Sequence, residues 1–226
     1  MAKRKIGIYV AHDDDAIIGA GGTIVKTRAE GGEVYVVIVT DGANSHSSVF
    51  GFEEHPSKEE VKAKRKEEIK KAMRVLDVSP EFVFFLDRPD GRNDIWGGDE
   101  KLFGDILAIT ERERPDAVYS NYTFDPHTDH VAVGKIVEGI LGRMSRTPEA
   151  FQFAIQGIIE RPDRVVPIAD VVERKRQALF EMKSQVLSDP YENEGWRKQP
   201  RPILSEDEVQ KFLSDRETFR VLKTIG

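Results

Sequence analysis

The sequence predicts an α/β fold built on a mostly parallel sheet with helices on both faces, and three observations predict it. Short apolar runs alternate with longer segments of helical periodicity along the 226 residues, the pattern of repeated strand–helix units. The run Val34-Tyr35-Val36-Val37-Ile38-Val39 is continuous and β-branched, which suits a strand covered on both sides. Ionisable residues gather directly after the first and fourth apolar runs, where open parallel sheets place their ligands.

Taken in order, Lys5 to Val10 reads as the first strand, and the glycine-rich segment Gly19-Ala20-Gly21-Gly22 as a turn. A helix over roughly Gly22 to Glu30 follows, ended by Gly31-Gly32. Val34 to Val39 completes a βαβ unit. Ala43 to Pro56 reads as a long polar loop carrying His46 and His55, whose side chains are expected in solvent. Ser57-Lys58-Glu59-Glu60 is a capping-box pattern, and Val61, Ile69, Ala72, Met73 and Leu76 give the helix behind it an apolar stripe.

Phe82 to Leu86 is the third strand, Leu102 to Arg112 a helix, Ala117 to Ser120 the fourth strand and Val131 to Leu141 a further helix. A strand is expected within Phe151 to Ile159 and a short extended piece at Val165 to Ile168. A single helix is expected over Asp170 to Leu187, and a loop or flap over Asp189 to Pro202. A last helix capped by Ser205 and a terminal strand at Thr218 to Leu222 complete the series. The length suits one domain, 1–226, with no internal repeat.

Composition narrows the chemistry. The chain has no cysteine, so disulfides, thiol nucleophiles and cysteine metal sites are excluded, and any metal must use His, Asp or Glu. A net charge of −6 disfavours nucleic acid as a partner. The N-terminus is too short in apolar residues for a signal-peptide core, and no run approaches the roughly 20 residues of a membrane span, so a cytoplasmic protein is expected.

Three of the five histidines lie in the two post-strand clusters. Ala11-His12-Asp13-Asp14-Asp15 follows the first strand and Asp125-Pro126-His127-Thr128-Asp129-His130 the fourth. Either cluster alone reads as well as an acidic turn capping the next helix. Together they offer two imidazoles and a carboxylate with positions left open, a catalytic type of zinc site. A metal-activated water, a neighbouring carboxylate (Asp13 or Asp14) as general base, and a remaining histidine to stabilise an oxyanion suit hydrolysis of an amide or ester. Asp129, two residues from His127, is placed to orient that ring.

On these residues the chain resembles the PIG-L/LmbE family of zinc-dependent N-acetylglucosaminide deacetylases. Ala11-His12-Asp13-Asp14-Asp15-Ala16 stands for its first motif, Gly19-Ala20-Gly21-Gly22-Thr23 for its glycine motif and His127-Thr128-Asp129-His130 for its later histidine motif. Smaller echoes are Thr40-Asp41-Gly42, Arg65 with Glu68, Arg114-Pro115-Asp116 and Lys183-Ser184-Gln185.

The resemblance implies a Rossmann-like fold and His12, Asp15 and His130 as ligands of Zn2+ or another divalent metal. It implies Asp14 as general base, and His127, held by Asp129, as the group that stabilises the oxyanion or protonates the leaving amine. Arg65 and Asp90 fall where the family contacts substrate. The implied partner is a small N-acetylated sugar or conjugate, and a homo-oligomer is allowed. Two positions depart from the family: Asp13 stands where it has Pro, and Ala16 where it has Glu. Asp13 is expected to point away from the metal. The alternative in another class is a non-catalytic metal- or sugar-binding relative whose activity decayed with these changes. A non-haem iron triad at His127 and Asp129 would need a later histidine, and none follows His130. Trp96 and Trp196 read first as packing residues, and Tyr122 and Phe124 as pocket or core.

Overall fold

The structure is a computed structural model that describes residues 3–52, 54–191 and 196–222. Strand β1 (Lys5–Val10) leads to helix α1 (Asp15–Ala29), strand β2 (Glu33–Thr40), a short helix α2 (Ser45–Phe50) and the long helix α3 (Lys58–Val75). A 3-10 turn at Pro80–Phe82 enters β3 (Val83–Arg88), followed by α4 (Asn93–Trp96), α5 (Glu100–Glu113), β4 (Ala117–Asn121) and α6 (Thr128–Leu141). The rest comprises β5 (Glu149–Phe153), β6 (Arg164–Pro167), α7 (Val172–Glu181), α8 (Lys183–Val186), α9 (Glu206–Phe212) and β7 (Arg216–Val221).

The seven strands form one sheet in the order β3-β2-β1-β4-β5-β7-β6. The first five are parallel, and β7 runs antiparallel to both β5 and β6. The first four strands alternate their side chains between two cores. Ile6, Ile8, Val10, Val34, Val36 and Ile38 enter one, shared with residues of α1, α3 and α7. Tyr9, Tyr35, Val37, Val39 and Val118 enter the other, with residues of α5 and α6. Helices therefore cover both faces, as the continuous apolar runs predict. The strand order reverses between β1 and β4, and ligands of open α/β sheets bind beyond the carboxyl ends at such a point.

Several expectations are corrected. The glycine-rich segment is helix, not turn: α1 begins at Asp15, and its glycines face close neighbours. A Cβ at Gly19 would come within 2.0 Å of the Phe153 ring, and one at Gly22 within 2.5 Å of Ile168. Glycine lets α1 lie against the sheet, and this packing offsets a helix-propensity cost of about 1 kcal/mol per glycine. The polar loop after β2 holds α2 between Ala43 and Pro56. Helix α6 begins at Thr128 rather than Val131, because the His127 ring accepts a hydrogen bond from the Asp129 N–H and serves as its cap. The expected helix over 170–187 breaks at Met182 into α7 and α8. Strand β5 ends at Phe153, short of the run to Ile159. The capping boxes at Ser57 with Glu60 and Ser205 with Glu208 are formed. Of the expected loop from Asp189 to Pro202, residues 192–195 lie outside the described residues.

Candidate metal centre

Asn121, at the end of β4, ties the two clusters together. Its amide oxygen accepts from the Ala11 N–H at 2.7 Å, and its amide nitrogen donates to Asp15 Oδ2 at 3.2 Å. Asp15 opens α1 just beyond β1, and His130 sits in the first turn of α6 just beyond β4. The shared sheet edge brings His12, Asp15 and His130 into one group.

Their inner atoms form a triangle. His12 Nδ1 lies 3.2 Å from His130 Nε2 and 3.5 Å from Asp15 Oδ2, and His130 Nε2 lies 3.2 Å from Asp15 Oδ2. Ligand atoms around a tetrahedral ion with bonds of about 2.0–2.1 Å are separated by about 3.3 Å, close to these edges. The outer nitrogens fix which atoms turn inward. His130 Nδ1 donates to Asp125 Oδ1 at 2.9 Å, and His12 Nε2 donates to Asp90 Oδ1 at 3.1 Å with Asp129 Oδ2 at 3.5 Å. With both outer nitrogens protonated, both inner lone pairs converge beside a carboxylate oxygen. Carboxylates behind ligating imidazoles are the usual support of a metal site. The residues present therefore fit a divalent cation.

Electrostatics agree. Burial acts against the charged form of His130, but Asp15 and Asp125 prevail and raise it to about 9. Burial likewise opposes the charged form of His12, and Asp129, Asp15 and Asp90 carry it well above the usual histidine range. Asp15 is buried, yet His130 and His12 hold it well below the carboxylate range. Positive charge at this spot is thus favoured strongly enough to retain protons where a cation would sit.

The other site residues separate into partners of this group and lining of the space before it. A cavity of about 530 Å³ opens on His12, Asp14, Asp15, Arg65, Asp90, His127 and His130. Burial raises the Asp14 carboxyl; Arg65 opposes this, and Asp13 and Asp15 reinforce it. His127 Nδ1 accepts from the Asp129 N–H at 3.2 Å, so its neutral ring carries the proton on Nε2. Burial and the nearby His12 and His130 lower its pKa.

One expected contact changes, and Asp13 points away from the group as expected. Asp129 does not hold His127 through its carboxylate. That group accepts from Gly91 N–H at 2.9 Å and Asn93 Nδ2 at 2.7 Å and stands near His12, because the first turn of α6 points it across the group. Asp13 turns its carboxylate to Arg65 in a fork that includes Nε at 2.9 and 3.1 Å, and it is absent from the cavity lining. Arg65, expected to meet substrate, lines the cavity but is bonded to Asp13, Asp14 and Gln185. Asp90, also expected to meet substrate, lines the cavity while holding His12.

Asp125, which opens the second cluster, has a role that the sequence pattern does not assign. Its Oδ1 accepts from His130 and from the His127 N–H at 3.0 Å, and its Oδ2 from the Ile155 and Gln156 N–H groups at 2.8 and 3.1 Å. Burial opposes its ionisation, but His130 and the His127 N–H draw its pKa down to about 2. His46 is buried rather than solvated, meets Gln199 at 2.9 Å and packs on Trp196. Trp96 is buried and donates to Pro89 O, a packing role. Phe124 is neither core nor lining: it is 80% exposed.

An α/β sheet with a His/Asp/His group and an acid-lined cavity at its switch point defines the class as α/β proteins with a candidate metal site beyond the strand ends. Residues 8–141 match the family described as GlcNAc-PI de-N-acetylase, PIG-L, and the chain belongs to that family. It is 26% identical over 204 residues, 84% of this chain and 73% of the other, to diacetylchitobiose deacetylase of Thermococcus kodakarensis. It resembles the solved N,N'-diacetylchitobiose deacetylase of Pyrococcus horikoshii with a TM-score of 0.75 and 22% identity, covering 97% of this chain and 84% of that one. GalB, the 4-carboxy-2-hydroxymuconate hydratase of Pseudomonas putida KT2440, shares the fold with a TM-score of 0.72 at 20% identity, covering 97% and 96%. Among the described residues, no helix is long and apolar enough to cross a membrane.

Proposed function

We propose that this chain is a zinc-dependent N-deacetylase that removes an acetyl group from an N-acetylated sugar or sugar conjugate. The observation that carries the reading is the convergence of the His12 and His130 lone pairs on Asp15, each ring backed by a carboxylate, in the lining of a cavity that also presents Asp14 and His127. The family's description and the named activity of the relative from Thermococcus kodakarensis supply the substrate class.

His12, Asp15 and His130 would hold the ion; two imidazoles and a carboxylate without sulfur suit zinc. When bound, zinc supplies Lewis acidity toward the acyl carbonyl and makes a water acidic near neutral pH. Asp14, its carboxyl raised by burial, takes the proton from the attacking water and passes it to the amine nitrogen as the C–N bond breaks. His127 is neutral with its proton on Nε2, so it donates a hydrogen bond to the developing oxyanion rather than acting as a cationic acid. Asp13 keeps the Arg65 guanidinium occupied, so a single Arg65 contact falls on Asp14, at 3.1 Å.

Metal content and acetate release from N-acetylglucosamine, measured on wild type, His130→Ala and Asp14→Asn, test the reading. The expected wild type holds about one zinc per chain and releases acetate. His130→Ala loses both, whereas Asp14→Asn keeps the metal and loses about 10²- to 10⁴-fold in rate. No metal after zinc is supplied overturns the mechanism, and zinc without acetate release from any N-acetyl sugar overturns the activity.

A further inference from the structure

Asp13 does not line the cavity before the candidate metal centre, yet it sets the charge of a residue that does. Asp13 and Arg65 are both buried. Arg65 Nε donates to the two Asp13 carboxylate oxygens at 2.9 and 3.1 Å, and its Nη2 donates to Asp13 Oδ1 as well. Asp13 Oδ1 also accepts from the Asp14 N–H at 3.0 Å, which fixes the carboxylate against its own backbone. On the other side, the turn after β2 presses on the guanidinium. Gly42 has a φ of 63°, and a Cβ there would come within 2.9 Å of Arg65 Nε. The pair is therefore built into the wall. Asp13 stands where the family motif has Pro, a residue with no group to make it.

The charges around the cavity give this pair a consequence. The carboxylates of Asp14, Asp15, Asp90 and Glu208 line it, against the cationic side chains of Arg65 and Lys211. Asp13 cancels the charge of Arg65 at contact distance. Arg65 Nη2 also donates to Asp14 Oδ1 at 3.1 Å, and Nη1 donates to Gln185 Oε1 at 3.2 Å. The second N–H of Nη1 has no acceptor among the described residues. Arg65 thus offers the cavity a hydrogen-bond donor whose charge is already matched. With a divalent ion on His12, Asp15 and His130, the lining stays net negative as long as Asp13 holds Arg65.

We propose that Asp13 is a specificity-determining residue: by neutralising Arg65 it makes the cavity select an uncharged N-acyl sugar ring and discriminate against an anionic one. This rests on the deacetylase reading and narrows the substrate class within it. A guanidinium free of Asp13 would favour a carboxylate or phosphate through paired, charge-assisted hydrogen bonds. Held by Asp13, it donates to a neutral acceptor such as a sugar hydroxyl, and an anionic ring meets the repulsion of the remaining carboxylates.

The test compares two sugars of nearly the same shape, N-acetylglucosamine and its C6 carboxylate, 2-acetamido-2-deoxyglucuronate, on zinc-loaded wild type, Asp13→Asn and the double variant Asp13→Asn/Arg65→Gln. Wild type is expected to prefer the neutral sugar in kcat/KM. Asp13→Asn should shift the ratio toward the carboxylate by about tenfold, through KM, the effect of one unit charge over roughly 10 Å at an effective dielectric of about 20. The double variant, again without net charge at the pair, should return to the wild-type ratio. The ratio is the readout because a loosened Arg65 that disturbs Asp14 slows both sugars alike, and the ion's charge is common to every variant. A wild type indifferent to the carboxylate, an unchanged ratio in Asp13→Asn, or a shift that persists in the double variant overturns the proposal. If Asp13→Asn does not fold, wild type still decides: its preference must weaken as salt screens the repulsion, and a preference independent of salt overturns the proposal. If neither sugar releases acetate, the deacetylase reading falls, and calorimetric binding of the same two sugars tests Asp13 alone: a binding ratio that follows its charge supports the proposal, and an unchanged ratio overturns it.

Discussion

His130 and His12 each turn one ring nitrogen inward and give the other to a carboxylate, but their supports are built differently. His130 is 2% exposed, and its partner Asp125 is held by backbone N–H groups of the segment after β5. That support belongs to the sheet edge. His12 has two partners, Asp90 and Asp129, and these are held by Asn44, Gly91 and Asn93, which lie after β2 and β3. One imidazole is therefore fixed by a single buried clamp, and the other by two carboxylates that loops around the cavity set in place. The lesson is one of redundancy: damage to the Asp125 clamp has nothing to replace it, whereas damage on the His12 side is shared.

The largest effect is expected from Asp125→Ala. It frees the His130 ring to turn and leaves the Ile155, Gln156 and Gly157 N–H groups without their acceptor. Losing such a support typically costs 10- to 100-fold in metal affinity, and the absence of a substitute places this case at about 100-fold. The unpaired buried Ile155 N–H adds about 2 kcal/mol of lost stability, read by chemical denaturation of the metal-free protein. Unchanged zinc affinity in a folded Asp125→Ala variant would show that Asp125 is not a clamp.

Next comes pH. In the metal-free protein His130 is raised to about 9, so between pH 7 and 9 its ring holds a proton that a cation must displace. Zinc affinity should then rise about tenfold per pH unit for each proton released across this window. The stability linkage has the opposite sign. A raised histidine stabilises the metal-free fold fully below its unfolded pKa of about 6.5, and this contribution is lost as pH rises through about 9. The gain in Tm on adding zinc should therefore be larger at pH 8.5 than at pH 6.5. A gain independent of pH would place no displaced proton on His130.

The first four strands are legible because each carries its own evidence: an apolar run after which polar residues begin. The two histidine clusters were legible for the same reason, since both lie where a strand ends. What escaped depends on partners far away in sequence. Glycines at 19 and 22 look like a turn until Phe153 and Ile168 press on them. His127 does not look like a helix cap, since its ring rather than a hydroxyl accepts the N–H. Asp125 gained no role because the backbone that fixes it lies some 30 residues later. Asp129 was joined to His127 by proximity in sequence, but the turn of α6 sends its carboxylate to the other side of the group.

The smaller effects lie on the His12 side and probe its redundancy. Asp129→Asn removes a carboxylate that burial would neutralise but that His12, Asn93 and Gly91 draw down to about 2. The expected loss is about tenfold in zinc affinity, the low end for such supports, because Asp90 remains on His12 Nε2 at 3.1 Å. Asp90→Asn is milder still, at about threefold, since the amide oxygen can accept the same ring proton while Asp129 keeps its charge. If the two carboxylates back each other up, the double variant must lose more than the product of the single losses, approaching that of Asp125→Ala. Strictly multiplicative losses would mean that Asp90 and Asp129 act independently, and the contrast between the two walls would reduce to the number of carboxylates on each.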